Sequence, residues 1–398
     1  MKIIHTSDWH IGHKLYEKSR EKEHKLFFKW LHKFIEENSV ELLLVSGDIF
    51  DSAIPSNSSL KLYYDFLISL QDTKCKSIII TAGNHDSPNT LEAPKELLNA
   101  LNISVIGKVD ENIDNMLFPI KGSNIIVVAI PFLRDKDIRS AISNESFNDI
   151  NKRYKKALIN YYNKLATRCK EINRDNFFIA MGHLFATNTT ISGSESSIYI
   201  GGLGDISVDD FPNFFDYIAL GHLHKSQKVG GVEHIRYSGS PIPLSFNEAK
   251  QNSKVTLLNI ENSKIESIKE IVVPKFRDLI SIKTSFNRIK EILNSIKKSS
   301  NLTPWIDIIL TDKNRDFNLN KKIVEIVKNL DLEVLRVSID SDKEFNYIKD
   351  NKIVTTLSSF TPEKIFEKKC KEEKFTLEDN IEIKDIFYEI LSDIREDI

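Results

Sequence analysis

Short apolar runs punctuate the first 220 residues, and each stops at a polar cluster: Lys2–His5, Leu42–Ser46, Ile78–Ala82, Ile125–Ile130, Phe177–Met181 and Tyr217–Leu220. Such short, uninterrupted runs predict buried strands. Between the first two, Phe27, Trp30, Leu31, Phe34 and Ile35 recur at helical spacing, which predicts an amphipathic helix with Ser19 as its cap. Alternation of strands and helices predicts an α/β sandwich with a largely parallel core. A longer helix is expected from Phe147 to Arg174, where Tyr154, Leu158, Tyr161 and Leu165 are interleaved with Lys152, Arg153, Lys155, Lys156, Lys164 and Arg168. Its basic face is either a solvated surface or one that meets DNA.

After Pro274 the pattern restarts. Leu279–Ile282, a helix carrying Phe286, Ile289, Leu293 and Ile296, Trp305–Leu310, a helix carrying Ile323, Ile326, Val327 and Leu330, and Glu333–Ile339 together read as β-α-β-α-β. No Asp/His cluster falls in this unit, so its expected role is to shape or cap a site built elsewhere. The acidic tail from Phe360 to Ile398 places Ile383, Ile386, Phe387, Ile390, Leu391 and Ile394 on one helix face, which either packs back on its own domain or docks on a partner. With 398 residues the chain exceeds the roughly 250–300 at which single cores stop growing. The expected division is a catalytic domain over 1–272, a small α/β cap over 273–345, and a linker with a helical tail over 346–398.

Composition changes this picture little: 41% hydrophobic and 28% charged residues suit a globular protein. The net charge of −2 supplies no global positive field, so attraction to a nucleic acid would have to come from local patches and bound metal. Cys75, Cys169 and Cys370 lie far apart, which indicates neither a disulfide framework nor a thiolate zinc site and fits a reducing, cytoplasmic setting. The N-terminus lacks an apolar signal core, and the longest uncharged apolar run, Ile125 to Leu133, is too short to cross a bilayer, so no membrane association is expected.

The chemistry lies at the strand ends. Asp8 and His10 follow the first strand, Asp48 and Asp51 the second, Asn84, His85 and Asp86 the third, His183 the fifth, and His222 and His224 the sixth. Each alone reads as a turn residue, since Asp and Asn are common after strands. Five such ends in succession, holding half of the chain's 10 histidines, point to a metal site on one edge of a parallel sheet. Asp8, His10, Asp48, Asn84, His183, His222 and His224 are seven oxygen and nitrogen donors without a thiolate, too many for one tetrahedral ion and suited to two ions sharing a carboxylate. Two divalent ions against two carboxylates leave a positive surplus that favours an anionic phosphate, and they lower the pKa of a water held between them. His85 is spared from ligation and can stabilise the developing phosphorane charge or protonate the leaving oxygen, with Asp86 orienting its ring. His13 and Lys14 could touch a phosphate backbone or be merely solvated. Asp51 reads as orienting its loop, Trp9 as either a site wall or packing, His5 as structural, and His24, His32 and His234 as surface or packing residues.

These motifs, DWH at 8–10, GDIFD at 47–51, GNHD at 83–86, GH at 182–183 and GHLH at 221–224, resemble the calcineurin-like metallophosphoesterases. The resemblance implies a β-sandwich flanked by helices, one metal on Asp8, His10, Asp48 and His224, and a second on Asp48, Asn84, His183 and His222. Within that superfamily HTSDWHIG, IPFLRD at 130–135, IYIGG at 198–202, YIALGHLHKSQ at 217–227 and YSGSPIPLSFNE at 237–248 are similar to the SbcD-type nucleases. That resemblance implies a manganese-dependent exonuclease on double-stranded ends and endonuclease on single strands and hairpins. It also implies an SbcC-type ATPase partner with a long coiled coil, and a homodimer of the nuclease subunit within a heterotetramer. A small-molecule phosphodiesterase or phosphatase remains the alternative, because the same metal motifs serve those reactions; Ser52 after GDIFD argues against a protein phosphatase, where Arg is usual. A non-catalytic scaffold is disfavoured, since every proposed ligand and His85 are present.

Overall fold

The apolar runs become the middle strands of two six-stranded sheets that share one core. A computed structural model describes residues 1–134, 147–172, 175–186, 189–190, 206–312 and 319–339; the expected tail and the 198–202 motif lie outside them. Met1–Ser341 forms one compact unit.

β1 (Lys2–Thr6) is followed by a small hairpin, β2 (Lys14–Leu15) and β3 (Lys18–Ser19), and by helix α1 (Glu21–Asn38). β4 (Leu42–Ser46), helix α2 (Asn57–Ser69), β5 (Ser77–Thr81), short helices α3 (Pro88–Glu92) and α4 (Lys95–Asn99), and β6 (Ile103–Ile106) complete a parallel β1-β4-β5-β6 run. The second sheet is built from β7 (Leu117–Pro119), β8 (Ile125–Val128), helix α5 (Phe147–Ile172), β9 (Phe177–His183), β10 (Tyr217–Gly221), β11 (Gln227–Lys228) and β12 (Ile235–Tyr237), in the order β11-β12-β10-β9-β8-β7. The chain then returns to the first sheet, where β13 (Lys254–Glu261) pairs antiparallel with β1 and β14 (Lys264–Val272) closes the edge. The parallel core is as expected; the antiparallel edges are additions.

Period-two alternation explains why the middle strands are apolar throughout. Ile3, Leu42, Leu44 and Ile79 face the second sheet, while Ile4, Leu43, Val45, Ile78 and Ile80 face α1 and α2. On the outside of the second sheet α5 lays down Tyr154, Leu158, Tyr162, Leu165 and Cys169. Part of its basic face is neutralised at home, with Lys155 2.8 Å from Asp210 and Arg168 2.6 Å from Asp114. Exposed pairs of this kind are screened by water and contribute little to stability.

Two strand-end expectations are corrected. Ser19 does not cap α1: Arg20 occupies the cap position, and the Ser19 hydroxyl accepts the N–H of Glu21 instead. The helix start is set by Arg20 itself, whose buried guanidinium donates to Glu23 at 2.7 Å. Nor do the five motifs line one edge of one sheet. β1, β4 and β5 belong to the first sheet and β9 and β10 to the second, so the site is assembled between two layers.

The β-α-β-α-β unit is present as a parallel sheet of β15 (Leu279–Thr284), β16 (Trp305–Leu310) and β17 (Glu333–Ile339), with helices α6 (Phe286–Ser295) and α7 (Leu319–Val327) between the strands. It packs on the preceding segments through Trp305, Leu15 and Phe246. Arg277 stacks over Trp305 at 4.0 Å and donates to the buried Glu23 at 2.8 Å. Lys18 of the hairpin pairs with Glu333, and Arg336 lies over Tyr16.

Candidate metal centre

Past β1 the chain turns sharply: Asp8 and His10 have φ of 52° and 46°, Asp48 after β4 has 51°, and His222 after β10 has 103°. Left-handed backbone at non-glycine residues costs about 1–3 kcal/mol each and survives only where surroundings enforce it. Here the loops are zipped together, with the N–H of Asp8 donating to Gly47 O and that of His10 to Asp48 O, both at 3.0 Å. Trp9, between the two, points away from the site. It is fully buried among Phe27, Phe28 and Phe66 and donates to Thr6 Oγ1 at 3.0 Å, so it is packing, not a wall.

The two layers bring the expected donors together. Ligand atoms of Asp8, His10 and His224, of His10, Asp48 and His85, and of Asp8, Asp48 and His183 each lie within 4.8 Å of one another. Asn84 Oδ1 is 3.1 Å from both His183 Nε2 and His222 Nδ1. His183 donates from Nδ1 to Ser46 O at 2.9 Å, which leaves Nε2 facing Asp48 Oδ2 at 3.3 Å. Asp8 is held by the Ser7 hydroxyl at 2.5 Å and the His222 N–H at 2.9 Å.

The residues fit divalent cations. Among the described residues neither ring nitrogen of the buried His10 makes a hydrogen bond, while Asp51 Oδ1 stands 3.5 Å from Nδ1 and Asp48 Oδ2 3.6 Å from Nε2. An orphaned buried polar atom costs about 1–3 kcal/mol unless something else satisfies it, and the buried carboxylates of Asp8 and Asp48 lie close by. Burial alone would lower the His183 imidazole, but the Asp48 carboxylate outweighs it and raises the group to about 9. Burial, reinforced by His183, lowers His222 to about 3. A proton on His183 thus sits where a divalent cation would compete with it.

Glycines clear the space. A Cβ on Gly83 would stand 2.1 Å from Asp48 Oδ1, and one on Gly221 1.8 Å from Ser46 O. Gly83→Ala is therefore expected to displace Asp48 and to lower phosphodiester hydrolysis about 10²-fold, the usual cost of a roughly 1 Å misplacement. Initial rates and metal content, compared with the parent chain, check this; unchanged values of both would mean that the loop absorbs the methyl group without moving Asp48.

His85 is partly exposed at the mouth of this cluster, its ring edge-on to His10 at 4.9 Å between centroids. Its Nδ1–H donates to Asp51 O at 3.0 Å, which leaves Nε2 for chemistry, and its N–H donates to Asp48 Oδ1. Asp86 does not orient this ring, contrary to expectation. The Asp86 carboxylate turns inward to accept the N–H groups of Ile49, Phe50 and Gly83 at 2.8–3.0 Å, and burial with the nearby Asp48 charge raises it to about 6. It ties the GDIFD loop to the GNHD loop. Orientation of the rings falls to Asp51, whose carboxylate is 2.9 Å from His13 Nδ1 and 3.5 Å from His10 Nδ1. His13 also reaches Leu244 O through Nε2 at 3.1 Å, so its imidazole is committed within the protein and is not poised for a phosphate backbone; Lys14 is exposed. His5, buried between Tyr217 OH and Leu220 O and lowered to about 3 mainly by burial, is structural. His24 packs against the carbonyls of Arg20 and Trp9.

Three contributors escaped the sequence. Arg134 donates to Asp86 O at 3.0 Å, and Phe132 sits edge-on to His183, so the segment 130–134 buttresses the centre. Glu248, at the end of the 237–248 segment, places Oε1 3.3 Å from His224 Nδ1.

A two-layer sandwich with Asp, Asn and His donors converging from five strand ends defines a calcineurin-like metallophosphoesterase centre. Residues 1–226 match the calcineurin-like phosphoesterase family, and residues 275–374 match SbcD_C, described as the type 5 capsule protein repressor C-terminal domain. The SbcD subunit of the nuclease SbcCD from Escherichia coli K12 is 34% identical over 376 residues, covering 93% of this chain and 92% of that protein. Its counterpart in Rhodobacter capsulatus is 35% identical over 65% of this chain and 66% of its own length, and that of Bacillus subtilis 26% identical over 77% and 78%. The chain belongs to the calcineurin-like phosphoesterases and, within them, to the SbcD family of nuclease subunits. Among the described residues no helix is long and apolar enough to cross a membrane.

Proposed function

We propose that this chain is the nuclease subunit of an SbcCD-type complex, a two-metal hydrolase that cuts DNA phosphodiesters at double-stranded ends and in single strands and hairpins. The observation that carries the reading is the convergence of Asp8, His10, Asp48, His183 and His224, whose ligand atoms lie in groups of three within 4.8 Å of one another. In this reading Asp8, His10, Asp48 and His224 hold one cation, Asp48, Asn84, His183 and His222 the other, and manganese is the ion used. Cations bound there supply charge neutralisation of the phosphate and an activated water. Hydrolysis adds the water oxygen to phosphorus and breaks the bond to the departing sugar oxygen, which needs a proton. His85 is the residue placed to give it from Nε2, because Nδ1 is held by Asp51 O. Asp86 contributes by fixing the loops under His85, and the exposed Lys14 is the nearby cation for a DNA strand.

The same reading makes residues 273–345 a cap and the tail after 346 the docking segment for an SbcC-type ATPase with a long coiled coil. Two nuclease subunits would pair within a heterotetramer in the cytoplasm. The experiment is cleavage of an end-labelled DNA hairpin by the purified chain with manganese and with chelator, beside a chromogenic phosphodiester and a cyclic nucleotide. Manganese-dependent DNA cutting is expected. Turnover of the small esters alone, also after adding the ATPase subunit, would replace this reading with a small-molecule phosphodiesterase.

A further inference from the structure

The segment from Tyr237 to Glu248 wraps the outer side of His224. Ser240 donates its N–H to His224 O at 2.9 Å. Gly239, at φ 80°, lets the backbone pass where a Cβ would stand 2.7 Å from the same carbonyl. The segment then folds back: the Ser240 hydroxyl donates to Ile242 O at 2.8 Å, and the turn that begins at Glu248 is pinned by the Ala249 N–H on Ser245 O. Glu248 is thereby turned inward. Its side chain is 7% exposed, Oε2 accepts the Leu244 N–H at 2.8 Å, and Oε1 lies 3.3 Å from His224 Nδ1.

We propose that Glu248 is the positioning residue of one metal site: its carboxylate holds the proton on His224 Nδ1, directs Nε2 toward Asp8 and His10, and strengthens that nitrogen as a donor. The proposal rests on the two-metal reading above. Its physical basis is the contrast among the outer partners of the ligand histidines. His183 leans through Nδ1 on a neutral carbonyl, Ser46 O. His224 instead meets a carboxylate at Nδ1. An anionic partner fixes tautomer and ring orientation and raises basicity, and losing it lowers metal affinity about 10–100-fold. The two sites are therefore unlike. The one built on Asp8, His10 and His224 depends on Glu248, and the one built on Asn84, His183 and His222 does not.

The test is a manganese titration of the chelator-stripped full-length chain, with free Mn²⁺ counted by electron paramagnetic resonance. The parent chain is expected to take up two ions. Glu248→Ala should weaken one of them about 10–100-fold and leave the other unchanged. Glu248→Gln keeps the shape and an accepting oxygen without the charge, and should fall between. Asn84→Ala should weaken the complementary ion, so that the double variant loses both. Glu248→Gln carries the test if the alanine variant does not fold. Parent-like affinity for both ions in Glu248→Gln and Glu248→Ala, or equal weakening of both, would reduce Glu248 to a loop staple and overturn the proposal. A parent chain that takes up no manganese, cobalt or zinc would sink the two-metal reading itself, and this proposal with it.

Discussion

Replacing His85 with glutamine is expected to lower manganese-dependent DNA cleavage by about 10²–10⁴-fold, the range associated with a positioned general acid, while both ions stay bound. The expectation follows from how His85 is held. Its backbone N–H, not its ring, donates to Asp48 Oδ1, and that bond survives any side-chain replacement. The ring is fixed at Nδ1 by Asp51 O, so glutamine can retain a bond there and still lack a nitrogen able to give up a proton near neutral pH. The competing reading is that His85 is itself a ligand, since its ring also lies within 4.8 Å of donor atoms of His10 and Asp48. Measuring metal stoichiometry beside single-turnover cleavage separates the two. Loss of an ion together with activity would make His85 a ligand, whereas a slow, fully loaded variant makes it the acid.

The largest loss of stability is expected at Glu23. This carboxylate is 1% exposed and lies between two buried guanidiniums, Arg20 from the start of α1 and Arg277 from the segment leading into β15, at 2.7 and 2.8 Å. Burial would raise Glu23, but the two arginines hold it below its usual range. Glu23→Gln leaves two cations buried against each other and should cost about 3–5 kcal/mol. Urea denaturation of the variant gives the number, and replacing all three residues with apolar ones supplies the control, since removing a whole buried ion cluster is often neutral. A loss below about 1 kcal/mol in Glu23→Gln would show that water or a neighbour relieves the arginines.

Much of the centre was legible because its strands are buried on both faces: an unbroken apolar run such as Leu42–Ser46 stops at a glycine and a carboxylate, Gly47 and Asp48, which stay buried and so read as turn or ligand. That these residues would gather was readable for the same reason, since Asp8, Asp48, Asn84, His183 and His222 all stand within a few residues of a run's last apolar position. Pairing was not readable, because an apolar run does not say which neighbour it bonds, and one sheet edge is expected where two layers stand. Side-chain direction was equally hidden. Asp86 follows His85 in the chain yet turns inward to three backbone N–H groups, and His13 is drawn to Asp51 and Leu244. The Glu23–Arg277 bond joins residues 254 apart, a distance over which no local pattern carries information.

The split of the donors between two layers has a consequence for the order of synthesis. Asp8 is made before the histidines that face it, which arrive only with β9 and β10, and β13, which closes the open side of β1, arrives later still. A growing polypeptide that stops before His224 lacks that histidine, and one that stops before Lys254 leaves β1 without its β13 neighbour. The two layers thus close in the order of the chain, and the residues gathered around Asp8 can meet only after most of both sheets has been made.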